Sequence, residues 1–212
     1  MHLKAGELPV KMKYLLTIFC ALWGTISHAQ NLPAVFDVNN VAASDVLNIR
    51  REPDAGAEVM GSYPPYSVNI EVLELSPDGK WGMVGLGEGN GWVNLSYLEP
   101  SATYSEYEVP MPLVCSGTEP FWTFGMYPGG SEYIEMGDER RDLEITAMRR
   151  AANGMLITAH EGEVIDRTLI VQRGECSDGM SDRRFGWRAT LFNDTPDMPS
   201  VETGCCTLDG TN

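Results

Sequence analysis

Between Leu143 and Leu191 apolar residues return at every second position. Leu143, Ile145 and Ala147 stand against Glu144 and Thr146, and Met155, Ile157 and Ala159 against Thr158 and His160. Leu169 and Val171 lie within Thr168–Gln172, and Trp187, Ala189 and Leu191 alternate with Arg188 and Thr190. A period of two sends alternate side chains to opposite faces of a strand. No stretch of this half holds a convincing 3.6-residue apolar period. Turn signals divide it: Pro128-Gly129-Gly130, Gly137-Asp138, Asn153-Gly154 and Glu161-Gly162. Asn153-Gly154 is expected to form a two-residue hairpin turn. The pattern predicts an antiparallel meander of roughly seven or eight strands closed into a barrel.

The preceding stretch also reads as strands. Leu47 and Ile49 share one face, with Asn48 and Arg50 on the other. Val68, Ile70 and Val72 alternate with Asn69 and Glu71, which predicts a half-buried strand with Glu71 on the wet side. Leu73 and Leu75 then take over the apolar parity, so a bulge or sharp bend is expected after Val72. Pro77-Asp78-Gly79-Lys80 is a hairpin turn. Trp81 to Leu86 returns, Gly91 to Leu95 forms a last short strand, and Tyr97-Leu98 closes the unit. From Glu99 to Pro112 three prolines and no clean period predict an extended linker.

The N-terminal segment reads as an export signal. Lys11 and Lys13 precede the apolar run from Tyr14 to Gly24, and Ser27-His28-Ala29 supplies small residues before a cut at Gln30. The run is shorter than the roughly 20 residues a membrane-spanning helix needs. The expected product is soluble and periplasmic or secreted, without stable membrane insertion after signal cleavage. Met12 is the alternative start. The formal net charge of -15 excludes nucleic acid and anionic membrane surfaces as natural partners. The acidity itself is first a solubility feature, and second an attraction for a basic partner.

Export implies an oxidising compartment, where cysteines pair. Of five, Cys20 leaves with the signal, and Cys115, Cys176, Cys205 and Cys206 remain. Bridging the adjacent Cys205 and Cys206 would strain the peptide bond between them. The crossed pairings are therefore expected: Cys176 with one of the two, Cys115 with the other. Each would close a long loop and stabilise by roughly 2–4 kcal/mol. A thiol metal site lacks the Cys-x-x-Cys spacing and is not expected.

Two resemblances are carried by these residues. Leu47-Asn48-Ile49-Arg50, Pro53, the strand from Val68 to Val72, Trp81, Gly91-Trp92-Val93 and Tyr97-Leu98 fall in the order and spacing of a bacterial SH3-like domain. The resemblance covers about a third of the chain. It implies a small barrel that in many relatives binds cell-wall peptides. Arg51-Glu52-Pro53 replaces the usual small residue, glycine and proline of the first loop. Farther on, Gly117-Thr118-Glu119-Pro120-Phe121-Trp122, Cys176 through Asp182, and Gly204-Cys205 together resemble an uncharacterised family of bacterial envelope proteins, often lipoproteins. Here Arg184-Phe185 stands where that family has Tyr-Pro, and Cys20 follows Ile18-Phe19 without a lipoprotein cleavage signal. The implied organisation is a signal peptide over residues 1–29, an SH3-like domain over 30–100, a linker over 101–112 and a disulfide-stabilised β-barrel over 113–212.

Tyr63, Tyr66, Trp81, Trp92 and Tyr97 are candidates to line a peptide groove, since aromatic faces suit extended peptides. A core position is the competing reading and is preferred for Trp92. The candidate ligand-binding set is therefore Tyr63, Tyr66, Trp81 and Tyr97. A second candidate site is Glu119, Trp122, Asp178 and Asp182. Glu119 beside two aromatics is either a desolvated acid prepared for proton transfer, or a structural group paired with Arg183 or Arg184 or bonded to a turn; the structural reading is preferred. Asp178 and Asp182 lack the spacing of an EF-hand, and a turn with capped backbone groups is expected over calcium.

Chemistry is mostly excluded. His160 is the one histidine left after signal cleavage and falls on the polar parity of its strand. No serine sits in a nucleophile elbow. The glycines from Gly85 to Gly91 lie in a β hairpin beside an acid, not at the start of a helix, so no nucleotide loop is expected. No cofactor or metal is implied. The leading expectation is a non-enzymatic envelope protein binding peptidoglycan stem peptide or another extended peptide. One alternative is an inhibitor or sensor docking to a basic envelope protein such as a lysozyme. Another is a hydrolase using Glu119 with Asp178 or Asp182.

Overall fold

The computed structural model describes residues 32–101 and 111–208. The expected leader and residues 102–110 of the expected linker lie outside the described residues. What is described is all-β, with no α-helix among the described residues.

Eight strands precede residue 101: β1 (Ala34–Val38), β2 (Leu47–Arg50), β3 (Val59–Tyr63), β4 (Ile70–Val72), β5 (Glu74–Leu75), β6 (Trp81–Leu86), β7 (Gly89–Asn94) and β8 (Leu98–Pro100). They build two small sheets, β4-β1-β8 and β3-β2-β7-β6-β5. The change of apolar parity after Val72 marks the place where the chain passes between them: β4 pairs with β1, whereas β5 pairs with β6. Between the sheets lies a core of Phe36, Leu47, Ile49, Ile70, Val72, Val84 and Val93.

Four expectations need correction. Val68 is 61 % exposed and lies outside β4. Glu71, expected on the wet face, is 4 % exposed, because that face of β4 is covered by the second half of the chain. Trp92, expected in the core, is half-buried on the outer face of β7, and its neighbour Val93 takes the core position at 0 % exposure. Asn153-Gly154 is not centred on its turn. Ala151 pairs with Gly154, so Ala152 and Asn153 make the bend, and Gly154 belongs to the next strand. Its Cβ would stand 2.3 Å from the carbonyl oxygen of Val171, so a close strand approach requires the glycine here.

The second half is a closed barrel: β9 (Leu113–Thr118), β10 (Phe121–Tyr127), β11 (Gly130–Glu135), β12 (Arg141–Ala151), β13 (Gly154–Glu161), β14 (Ile165–Cys176), β15 (Phe185–Asp194) and β16 (Ser200–Thr207). Each strand pairs antiparallel with the next, and β16 returns to β9. An eight-stranded barrel is just wide enough for side chains to fill. The alternating residues fill it: Phe124, Ile157, Leu169, Val171 and Leu191 are all fully buried. Polar groups join this packing. Arg167, 3 % exposed, pairs with Glu161, bonds Asn193 and stacks 3.6 Å from the ring centre of Tyr133.

Both disulfides are of the crossed kind: Cys115–Cys206 and Cys176–Cys205. The strand geometry explains the choice. Adjacent residues of β16 point to opposite faces, so Cys206 joins the barrel interior while Cys205 reaches outward to Cys176 at the end of β14. Cys206 is the register partner of Cys115 on β9. That disulfide therefore crosses the seam at which the barrel closes.

The described residues form one compact unit. The small sheets and the barrel are joined by polar contacts, those of Glu71 buried. The Glu71 carboxylate accepts from Trp187 Nε1 at 2.8 Å, Thr207 Oγ1 at 2.8 Å and the backbone N–H of Leu208 at 3.2 Å. Arg173 donates to the Pro33 carbonyl, and Arg184 pairs with Glu74.

Candidate functional site

Two residues, Glu119 and Pro120, connect β9 to β10. Thr118 and Phe121 flank them as cross-strand partners, and one step farther Gly117 pairs with Trp122. The Trp122 indole lies across Gly117: a Cβ there would be 2.1 Å from Nε1 and 2.8 Å from the carbonyl oxygen of Thr203. Trp122 is 2 % exposed, and its Nε1 has no hydrogen-bond partner.

The loop from Cys176 to Asp182 is tied to this hairpin. The Thr118 hydroxyl donates to the Asp178 carbonyl at 3.2 Å, and Cys176 is held to Cys205 of β16. Within the loop, Gly179 adopts φ +73°, and the Asp178 carboxylate accepts from Met180 N, Ser181 N and Ser181 Oγ. Burial alone would raise the Asp178 pKa; the bonds from Ser181 and Met180 outweigh it and hold the carboxyl below its ordinary range. This carboxylate is consumed by its own turn. Among the described residues no group of three or more His, Cys, Asp or Glu is arranged to hold a metal ion.

The three motifs thus meet around one open cleft of about 480 Å³, lined by Gly117, Thr118, Phe121, Trp122, Asp178, Met180, Ser181 and Cys205. The tip of the β6–β7 hairpin, Gly87 and Glu88, supplies another wall. Of the expected second site, Trp122 and Asp178 are brought together. Glu119 and Asp182 are not: both are exposed and neither lines the cleft. No described side chain bonds the Glu119 carboxylate, and Arg184 instead pairs with Glu74 and Glu175. His160 is exposed and bonded to Asp166, its cross-strand neighbour.

Arg183 is the cleft residue that sequence reasoning treated only as a partner for Glu119. It is 8 % exposed. Its guanidinium lies over Gly85, where a Cβ would stand 2.8 Å from Nε and Nη2. Gly85, in the glycine-rich β6–β7 hairpin, therefore makes room for an arginine. The usable signal was the pairing of a glycine-rich hairpin in one half with consecutive arginines in the other.

A second cleft of about 430 Å³ lies in the first half, lined by Val41, Asp45, Asn48, Arg50, Trp81, Asn94 and Tyr97, among others. It brings together Trp81 and Tyr97 of the expected groove. Tyr63 is half-buried against the core between the small sheets, and Tyr66 is 74 % exposed; neither lines this cleft.

No protein-family model, curated protein or solved structure matches the chain. The physical setting is nonetheless constrained. Two disulfides suit an oxidising, extracytoplasmic environment. Among the described residues no helix is long and apolar enough to cross a membrane.

Proposed function

We propose that this is an exported, non-enzymatic binding protein of the cell envelope, periplasmic or secreted, whose first half takes peptidoglycan stem peptide or another extended peptide. The observation that carries this reading is the cleft in which Trp81 and Tyr97 stand beside Asp45, Asn48, Arg50 and Asn94. Aromatic faces and amide or charged side chains in one groove match the alternating side chains and backbone groups of an extended peptide. Trp81, 7 % exposed, is fixed by packing; Tyr97, 42 % exposed, is free to meet a ligand. The SH3-like resemblance of this half supports the same ligand class, and the export signal supports the location.

The test is sedimentation of the mature protein with purified sacculi. Wild type is expected in the pellet and Tyr97→Ala largely in the supernatant, with unchanged circular dichroism. Recovery of wild type entirely in the supernatant counts against the proposal. A parallel lysozyme assay on a soluble chito-oligosaccharide separates it from the inhibitor alternative, because wall binding alone leaves turnover of a soluble substrate intact.

A further inference from the structure

The cleft at the meeting of the three motifs contains a buried cation with no counter-charge. Among the described residues no carboxylate lies within ion-pair distance of Arg183, although neighbouring Arg184 makes two such pairs. The Arg183 Nη1 reaches the Gly87 carbonyl only at 3.5 Å, and its Nε has no partner. Asp178 does not neutralise it, since that carboxylate is taken by its own loop. Glu88 lines the rim but is exposed and makes no ion pair with it. A guanidinium removed from water without an acid is unfavourable unless something else supplies the charge. The guanidinium lies 5.1 Å from the ring centre of Phe185, which supplies no charge, and beside hydroxyl residues the cleft presents Ile134 and the more exposed Phe121, Met136 and Met180, the last two 74 % and 68 % exposed.

We propose that this cleft binds a small organic carboxylate with an apolar body, the carboxylate on Arg183 and the body against Phe121, Met136 and Met180. This site is distinct from the Trp81 cleft and does not depend on the peptide proposal. The Arg183 guanidinium offers unused N–H groups to an anion, which strengthens such bonds beyond neutral ones. The flexible thioethers of Met136 and Met180 adapt to varied apolar shapes. A cleft of about 480 Å³ is in the size range of small-molecule sites.

The test uses the mature, disulfide-intact protein and three probes by calorimetry: 4-phenylbutyrate, its neutral amide, and inorganic sulfate. Phenylbutyrate is expected to bind roughly tenfold or more tightly than either of the others. Arg183→Met should lose about that factor for phenylbutyrate and leave the amide unchanged. Glu88→Gln should tighten phenylbutyrate binding about twofold by removing a like charge from the rim. If Arg183→Met fails to fold, Met180→Glu, at an exposed position, should weaken both probes by removing an apolar contact, and the carboxylate severalfold more than the amide by adding a like charge. Absence of phenylbutyrate binding at millimolar concentration, equal binding of acid and amide, or indifference to these substitutions overturns the proposal.

Discussion

The indole Nε1 of Trp187 donates to the carboxylate of Glu71 at 2.8 Å, although the two residues are 116 positions apart and belong to different sheets. The same carboxylate accepts from Thr207 and Leu208 at the C-terminal end of the barrel. A buried carboxylate is tolerable only when such donors replace water. The contact therefore fixes how the small sheets sit against the barrel.

Glu71→Ala would leave Trp187 Nε1 and Leu208 N without their carboxylate acceptor. With about 1–3 kcal/mol for each buried group stranded, the expected loss is roughly 2–6 kcal/mol. Glu71→Gln keeps the volume but turns a donor toward at least one donor, so it should fall between wild type and alanine. Urea unfolding of the mature protein measures both. Wild type should unfold in one transition, and Glu71→Ala should show an earlier or split one. A stability within 1 kcal/mol of wild type would refute the coupling role.

The disulfides should differ in weight. Cys115–Cys206 spans 91 residues and Cys176–Cys205 spans 29. Loop-closure entropy then predicts about 4.6 and about 3.6 kcal/mol. The paired variant Cys115→Ala with Cys206→Ala should accordingly be the less stable, since it also opens the barrel seam and hollows two fully buried positions. Cys176→Ala with Cys205→Ala should leave the barrel folded and raise hydrogen exchange across the loop from Cys176 to Asp182. The opposite ranking in denaturant midpoints would contradict this assignment of roles.

Alkaline stability should carry the signature of Tyr133. Burial first, and the nearby Glu202 second, raise its pKa from 10.0 to about 12, against the opposing pull of Arg167. A folded-state pKa above the unfolded value means that the native protein holds the proton longer. Its contribution is full below pH 10 and is lost as pH rises through about 12. The change amounts to roughly 2–3 kcal/mol. Melting followed from pH 9 to 12 should show this decline, and Tyr133→Phe should flatten it. An unchanged slope in the variant would place the cause elsewhere.

Much of this architecture was legible in the chain because strand alternation and turn residues are local signals. The inward positions Met155, Ile157, Ala159, Leu169, Val171, Trp187, Ala189 and Leu191 could be read directly, and so could the crossed cysteine pairing. Glu71 could not. Its parity was right for a two-faced strand, but the covering surface comes from Trp187 and Thr207, far along the sequence. Trp92 misled through size: a large aromatic suggested the core, whereas the register gave that place to Val93. The motif set groups Trp122 with Asp178 as a candidate site, but the place of Arg183 in their cleft is not legible, because its seat on Gly85 belongs to the other half.

Gly117 offers the sharpest test of that cleft wall. It has no positive φ to explain it; the close approach of Trp122 and of β16 does. In Gly117→Ala the new methyl would stand 2.1 Å from Trp122 Nε1 and 2.8 Å from the Thr203 carbonyl oxygen, both inside contact distance. The indole is packed into the barrel core, and the carbonyl belongs to the backbone of β16. Overpacking of this kind typically costs about 1–3 kcal/mol, and two constrained neighbours put this case at the upper end. Tryptophan fluorescence should report a displaced Trp122 along with the lower midpoint. Gly129→Ala, in the β10–β11 turn where a Cβ meets nothing within 4 Å, is the matched control and should stay within about 0.5 kcal/mol of wild type. Equal stability of the two variants would mean that β16 does not approach β9 as closely as described.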